Sequence, residues 1–262
     1  MAIATTDHKA YLTGGSANTN VNLSLGGAIS ATLITDNVIN NLFDNVSTAE
    51  SLAGMTDYRC IAIKNENSVS AGSFTVNNMY AIITLGTTDF TLIGATSVTA
   101  SAFVIGTTYT ITAIGTTDFT LIGAAANTVG TRFTATGAGT GTGTAVTTVF
   151  TATGVGTGTG TAGQIAQNVS VYISANTPSP GTDVSIGLDP NGVSVDAVTT
   201  TPETTAPTGV TFSQPTTAGV LTVGSILPQD YVNIWLRWVV TAGAAAYTND
   251  SVSLSVDLAS EA

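Results

Sequence analysis

The stretch YVNIWLRWVVTAGAAAYTNDSVSLSVDL, Tyr231 to Leu258, decides the fold class. In its first half Val232, Ile234, Leu236, Trp238 and Val240 fall on one face, with Tyr231, Asn233, Trp235, Arg237 and Val239 on the other. That two-residue period predicts a strand buried on one side. In the second half Val252, Leu254, Val256 and Leu258 alternate with Ser251, Ser253, Ser255 and Asp257. The pair is expected to form neighbouring antiparallel strands joined by a loop of small residues.

The same alternation spreads outward through the chain. Val169–Ile173 and Val21–Leu25 read as alternating strands, Val184–Leu188 as a short strand, and a further strand starts at Phe74 and Val76. Tyr58–Lys64 reads as a strand with apolar residues on both faces, and Val210 and Phe212 lead to Leu221–Leu227. Asp189-Pro190-Asn191-Gly192 carries the residues of a β-turn. Ser47, Glu50 and Gly54 fit either a capped helical turn or a polar loop with one turn of helix. Many short strands between Gly, Pro and Asn turns predict an all-β protein with a sandwich or jelly-roll-like body.

Between the flanks the composition shifts to Gly, Thr and Ala, and two duplications appear. GTTDFTLIGA, Gly86 to Ala95, returns unchanged at Gly115 to Ala124, 29 residues on. FTATGAGTGTGTA, Phe133 to Ala145, returns 17 residues on at Phe150 to Ala162 with Val155 in place of Ala138. Two copies are few for a stacked repeat, so the region is expected to lean on the body or on symmetry mates. Its Thr-Gly tracts fit a flexible arm or an edge strand. The expected organisation is a discontinuous body, residues 1–79 plus 164–262, around an inserted repeat region, residues 80–163. Candidate interaction residues are Phe90, Phe119, Phe133 and Phe150 of the repeats and Trp235 of the strand.

Charge and composition exclude several functions. With 262 residues, 43% of them hydrophobic, the chain can bury one large core or two modest ones. Its formal net charge of -11, with only Lys9, Arg59, Lys64, Arg132 and Arg237 basic, makes nucleic acid a poor partner. Cys60, the single cysteine, excludes an internal disulfide and reads as a buried inert thiol. The start, MAIATTDHKAYLTGG, lacks a leader pattern, and no run approaches the ~18 apolar residues of a membrane helix.

No enzyme signature emerges. His8, the only histidine, falls in a segment expected to be flexible, which argues against a Ser-His-Asp arrangement. No GK[ST] follows the Gly-rich tracts, so they are not phosphate loops. Asp183, Asp189 and Asp196 could converge as glycosidase carboxylates, or Asp189, Asp89 and Asp118 could serve their turns or hold calcium. Tyr231, Trp235 and Trp238 are expected in core and interface and not as a sugar-stacking platform. No cofactor is expected.

The flanks carry NLFDNV (Asn41–Val46), YRCIAIKN (Tyr58–Asn65), VSIGLDPNG (Val184–Gly192), APTGVTFS (Ala206–Ser213), IWLRW (Ile234–Trp238) and AGAAAYTNDS (Ala242–Ser251). In these stretches, over about two-thirds of the chain, the sequence resembles virion proteins of tailed bacteriophages. The GTTDFT and GTGTGTA units resemble repeats of phage virion and tail-fibre proteins. The resemblance implies a structural protein of the virion, and the modest size and acidic balance favour a trimeric capsid cement or decoration protein. It would bind the major capsid protein on the outside of the shell. A tail fibre, spike or baseplate protein binding host-surface glycan is the alternative.

Overall fold

The computed structural model describes residues 7–36, 38, 40–245 and 251–259. The leader reading of residues 1–6, and residues 246–250 of the loop after Val240, lie outside them. Among the described residues the protein is all-β, with sixteen strands in four antiparallel sheets. Residues 7–66 with 166–259 form one compact unit, the body, and Asn67–Ile165 form the other.

The body begins with β1 (His8–Thr13), β2 (Ile29–Leu33) and β3 (Met55–Asn65). Helix α1 (Thr48–Ala53) precedes β3, and both capping-box bonds between Ser47 and Glu50 are present. Val21–Leu25, expected as a strand, instead holds a 3-10 turn at Val21–Leu23. The Asn20 side chain accepts the Asn22 N–H there, so a local polar contact outcompetes the ladder that alternation implied.

The inserted unit carries β4 (Val69–Ser70), β5 (Met79–Thr84), β6 (Ser97–Thr99), β7 (Thr108–Ala113), β8 (Arg132–Thr134), β9 (Thr144–Thr147), β10 (Val149–Thr151) and β11 (Thr161–Gln164). It starts at Asn67 and not at Tyr80, because β4 pairs with β11. The strand expected from Phe74 begins only at Met79, and Phe74 closes a 3-10 turn at Ala71–Ser73.

The sheets of this unit run β10-β5-β11-β4 and β8-β7-β9-β6, the same order of equivalent strands twice over. Phe150 faces Tyr80 as Phe133 faces Tyr109, and Ala162 faces Ile82 as Ala145 faces Ile111. The 29-residue and 17-residue repeats are thus the leading and trailing halves of one module. The inner module, from about Ser97 to Thr147, is inserted whole between the halves of the outer one. Thr96 and Thr147 at its two ends are joined by reciprocal bonds of 3.0 and 2.9 Å. The ends of the whole unit also meet, since the Gln164 N–H donates to Asn67 Oδ1 at 2.7 Å.

The body resumes with β12 (Ala166–Ala175), β13 (Thr182–Leu188), β14 (Leu221–Ile226), β15 (Tyr231–Val240) and β16 (Ser253–Ala259). Asn65 donates to the Ile226 carbonyl and Ala166 pairs with Ile226, so the chain leaves and re-enters the body at one place. Its sheets, β13-β15-β3-β1-β2 and β14-β12-β16, are open and antiparallel, in a sandwich-like body.

The strands read as one hairpin separate here. β15 lies between β13 and β3, whereas β16 pairs with β12 in the other sheet. Nor is β15 buried on one side only. Residues 232–236 are buried throughout, because Tyr58, Cys60, Ala197, Val198, Val210 and Phe212 cluster with Trp235 on the second face. β3 is likewise buried over Asp57–Ile63. A central strand covered on both faces needs partners for its polar groups, and the body supplies them.

Candidate interaction surface

In the body the buried chemistry-bearing side chains Asp189, Arg59 and Trp235 are engaged internally. Asp189 is 1% exposed at the start of the DPNG turn. One carboxylate oxygen accepts the Asn191 N–H at 3.0 Å, and the other accepts the Val198 N–H at 3.0 Å and Trp235 Nε1–H at 2.9 Å. The turn role read from the sequence is therefore extended into the core. Asp183 is bonded by Asn176 and Gln214, and Asp196 lies beside Tyr231, so each of the three carboxylates has polar partners of its own.

Arg59 is buried at the centre of a second network. Nε donates to the Leu42 carbonyl at 3.1 Å, Nη1 to the Tyr58 carbonyl at 3.0 Å and Nη2 to Asn22 Oδ1 at 3.1 Å. Its guanidinium also pairs with Glu203 and lies 5.5 Å from the Phe43 ring. Asp57, two residues away on β3 and buried, is pushed up to about 6 by desolvation and then by the charge of Glu203. Arg59 opposes that shift, while Asp44 and Glu50 add to it.

Lys9 is 2.8 Å and Lys64 3.7 Å from Glu66, which also accepts from Tyr11. Arg237 donates to Ser185 and stacks 5.2 Å from the Phe212 ring. His8 is held in β1 opposite Asn65 and not in a flexible tail. Burial raises the Cys60 thiol well above its ordinary value. No group of three or more His, Cys, Asp or Glu among the described residues could hold a metal ion.

The five candidate aromatics are all interior. Phe90 and Phe150 pack with Phe74 and Tyr80 in the outer module, and Phe119 and Phe133 with Phe103 and Tyr109 in the inner one. The ring contacts repeat pair by pair, Phe90–Phe150 at 5.7 Å and Phe119–Phe133 at 5.6 Å. Trp235 is 0% exposed. These rings hold each unit together and present no face to a partner.

What the repeat unit presents instead is set by its loops. In both modules the aspartate of GTTD caps the following 3-10 turn: Asp89 accepts from Thr91 N–H and Oγ1–H at 3.0 and 2.6 Å, and Asp118 from Thr120 likewise. The Thr-Gly tract of the trailing half then folds across that turn. Gly160 N–H donates to Thr88 Oγ1 and Gly143 N–H to Thr117 Oγ1, both at 2.9 Å. A Cβ on Gly143 would stand 2.6 Å from the Ile114 carbonyl oxygen, and one on Gly160 2.5 Å from that of Leu85. Only glycine allows this approach. The tract is thus neither a free arm nor an edge strand but a clasp.

Clasping buries Phe and Ile and turns the leucine between them outward. Leu92 is 78% and Leu121 79% exposed. Asn77 N–H bonds to the Ala152 carbonyl and Thr153 N–H to that of Ile93, which brings Val76 and Val155 to the same end of the outer module as Leu92. The equivalent bonds of Gly106 and Thr136 bring Ile105 to Leu121 in the inner module. A depression of about 310 Å³ in the same unit is lined by Leu85, Thr88, Asp89, Phe90, Thr91, Ser97, Thr112 and Val146. The sequence groups Phe, Leu and Ile of FTLI as one apolar cluster, and only the four-residue 3-10 turn separates the leucine from the other two.

No protein-family model, curated protein or solved structure matches the chain.

Proposed function

We propose that the protein is a structural component of a tailed-phage virion, a cement or decoration protein that binds the major capsid protein on the outside of the shell, as a trimer. The observation that carries this reading is the distribution of its side chains. The carboxylate, guanidinium and aromatic groups described in the body are engaged in internal bonds or packing, while exposed apolar residues recur in matching places on the repeats. Such a molecule acts by contact. Binding to the assembled lattice and not to separated subunits would stabilise the shell by mass action. The test adds purified protein to shells lacking it and measures binding and heat resistance. Co-sedimentation with a higher disruption temperature is expected, and no binding with unchanged heat resistance overturns the reading.

The depression beside Asp89 favours a second reading, a tail-associated protein whose Thr and Ser hydroxyls and carboxylate bind host-surface glycan. Antibodies against the chain would then label tails and not heads.

A further inference from the structure

Comparison of the two modules shows where side chains were free to differ. Over Ser68–Leu85 and Ser97–Ile114 only six of eighteen positions agree, and five of these, from Val69/Val98 to Ile82/Ile111, pack in or against the module cores. The next ten residues, GTTDFTLIGA, agree at every position. Nine have a role inside the module. Gly86 and Gly115 run beside Thr159 and Thr142, the threonines and aspartates make the clasp and cap bonds, and Phe, Ile and Ala are core. Gly94 and Gly123 take φ of +120° and +110°. The leucine has no such role, yet it is the same in both copies and almost fully exposed in both.

Charge points to what covers it. Asp89, Asp118 and Arg132 are the only charged residues in 67–165, whereas the rest of the chain holds the remaining 14 of 16 acidic and 4 of 5 basic residues. Two copies meeting through their bodies repel; two meeting through the repeats do not. A basic partner has little charge to recognise there, while an equally neutral, apolar patch is a match.

We propose that Leu92, with Val76 and Val155 at its end of the outer module, and Leu121, with Ile105 at its end of the inner module, are the contacts through which this chain binds a second copy of itself. This deepens only the self-association in the reading above and names its surface. Each chain carries the contact twice, so two weak patches reinforce one another when both engage.

The test is sedimentation velocity of the full chain over a wide concentration series. Wild type is expected to associate as concentration rises. The pair Leu92→Ser with Leu121→Ser should weaken association by roughly tenfold or more, and Leu92→Met with Leu121→Met should retain it. Melting should be unchanged in both, since neither side chain is buried. Wild type that stays monomeric throughout, or a Ser pair that associates as wild type does, overturns the proposal. Shell binding is assayed separately on wild type, so its failure counts against the decoration reading and not against this contact.

Discussion

Trp235 donates its indole N–H to Asp189 across 2.9 Å, and the two side chains are 0% and 1% exposed. A carboxylate taken out of water needs donors, and this one has three, from the central strand, its own turn and the Val198 backbone. The bond ties β15 to the loop that covers its second face. Asp189→Ala, which leaves all three N–H groups without that acceptor, is expected to destabilise the body by roughly 3–5 kcal/mol. Trp235→Phe should cost about 2 kcal/mol. Denaturant titration of both variants measures the order.

Asp57 should make the body more stable in mild acid. Its folded value of about 6 lies above the ordinary aspartate value of 3.8, so between those values the folded state holds the proton more tightly and stability falls as pH rises. Above about pH 6 the fold carries the whole cost of the ionised group. Asp57→Asn is therefore expected to stabilise the protein at about pH 8, by at most ~3 kcal/mol, and to bring no gain near pH 4. Urea unfolding at the two pH values decides it.

The clasp should be equally sensitive in both modules. Gly143→Ala and Gly160→Ala place a methyl against the Ile114 and Leu85 carbonyls, and each is expected to open its module. Thr117→Val, which keeps shape but removes the bonds to Gly143 N–H and the Thr140 carbonyl, should cost about 1–3 kcal/mol. Amide exchange confined to the altered module would register each loss.

Excising residues 97–146 and joining Thr96 to Thr147 should leave the outer module and body folded. Those two threonines are already hydrogen-bonded, so closing the chain requires little rearrangement. The outer core also loses Val146, which packs into it, at a cost of about 1–2 kcal/mol. Retained amide protection at Tyr80 and Ile82 is the expected result, and its loss would show that the outer module depends on the inner one.

Cys60 should resist a thiol reagent until the body unfolds. It is 0% exposed, and burial holds the thiol protonated. The rate of labelling should follow the unfolding transition in denaturant.

Short apolar runs, alternating or continuous, are enough to identify the all-β class and strands β3, β12, β13, β15 and β16, because the face a residue takes is a local property of the backbone. The capping box of α1 is equally local, written in Ser47 and Glu50. Self-similarity is also visible in the letters, hence both repeat spacings.

Pairing was another matter. Phe133 and Phe150 sit in nearly identical sequence, and nothing local says that Tyr109 takes the first and Tyr80 the second. Only that choice makes two duplications into nested modules. The partner of β15, the cover over Trp235 and the outward turn of Leu92 and Leu121 belong to the same category. Each is settled by residues far away in the chain meeting in space, where the burial of one group excludes another. Periodicity marks a face as apolar, while tertiary packing decides which faces are covered and which are left for a partner.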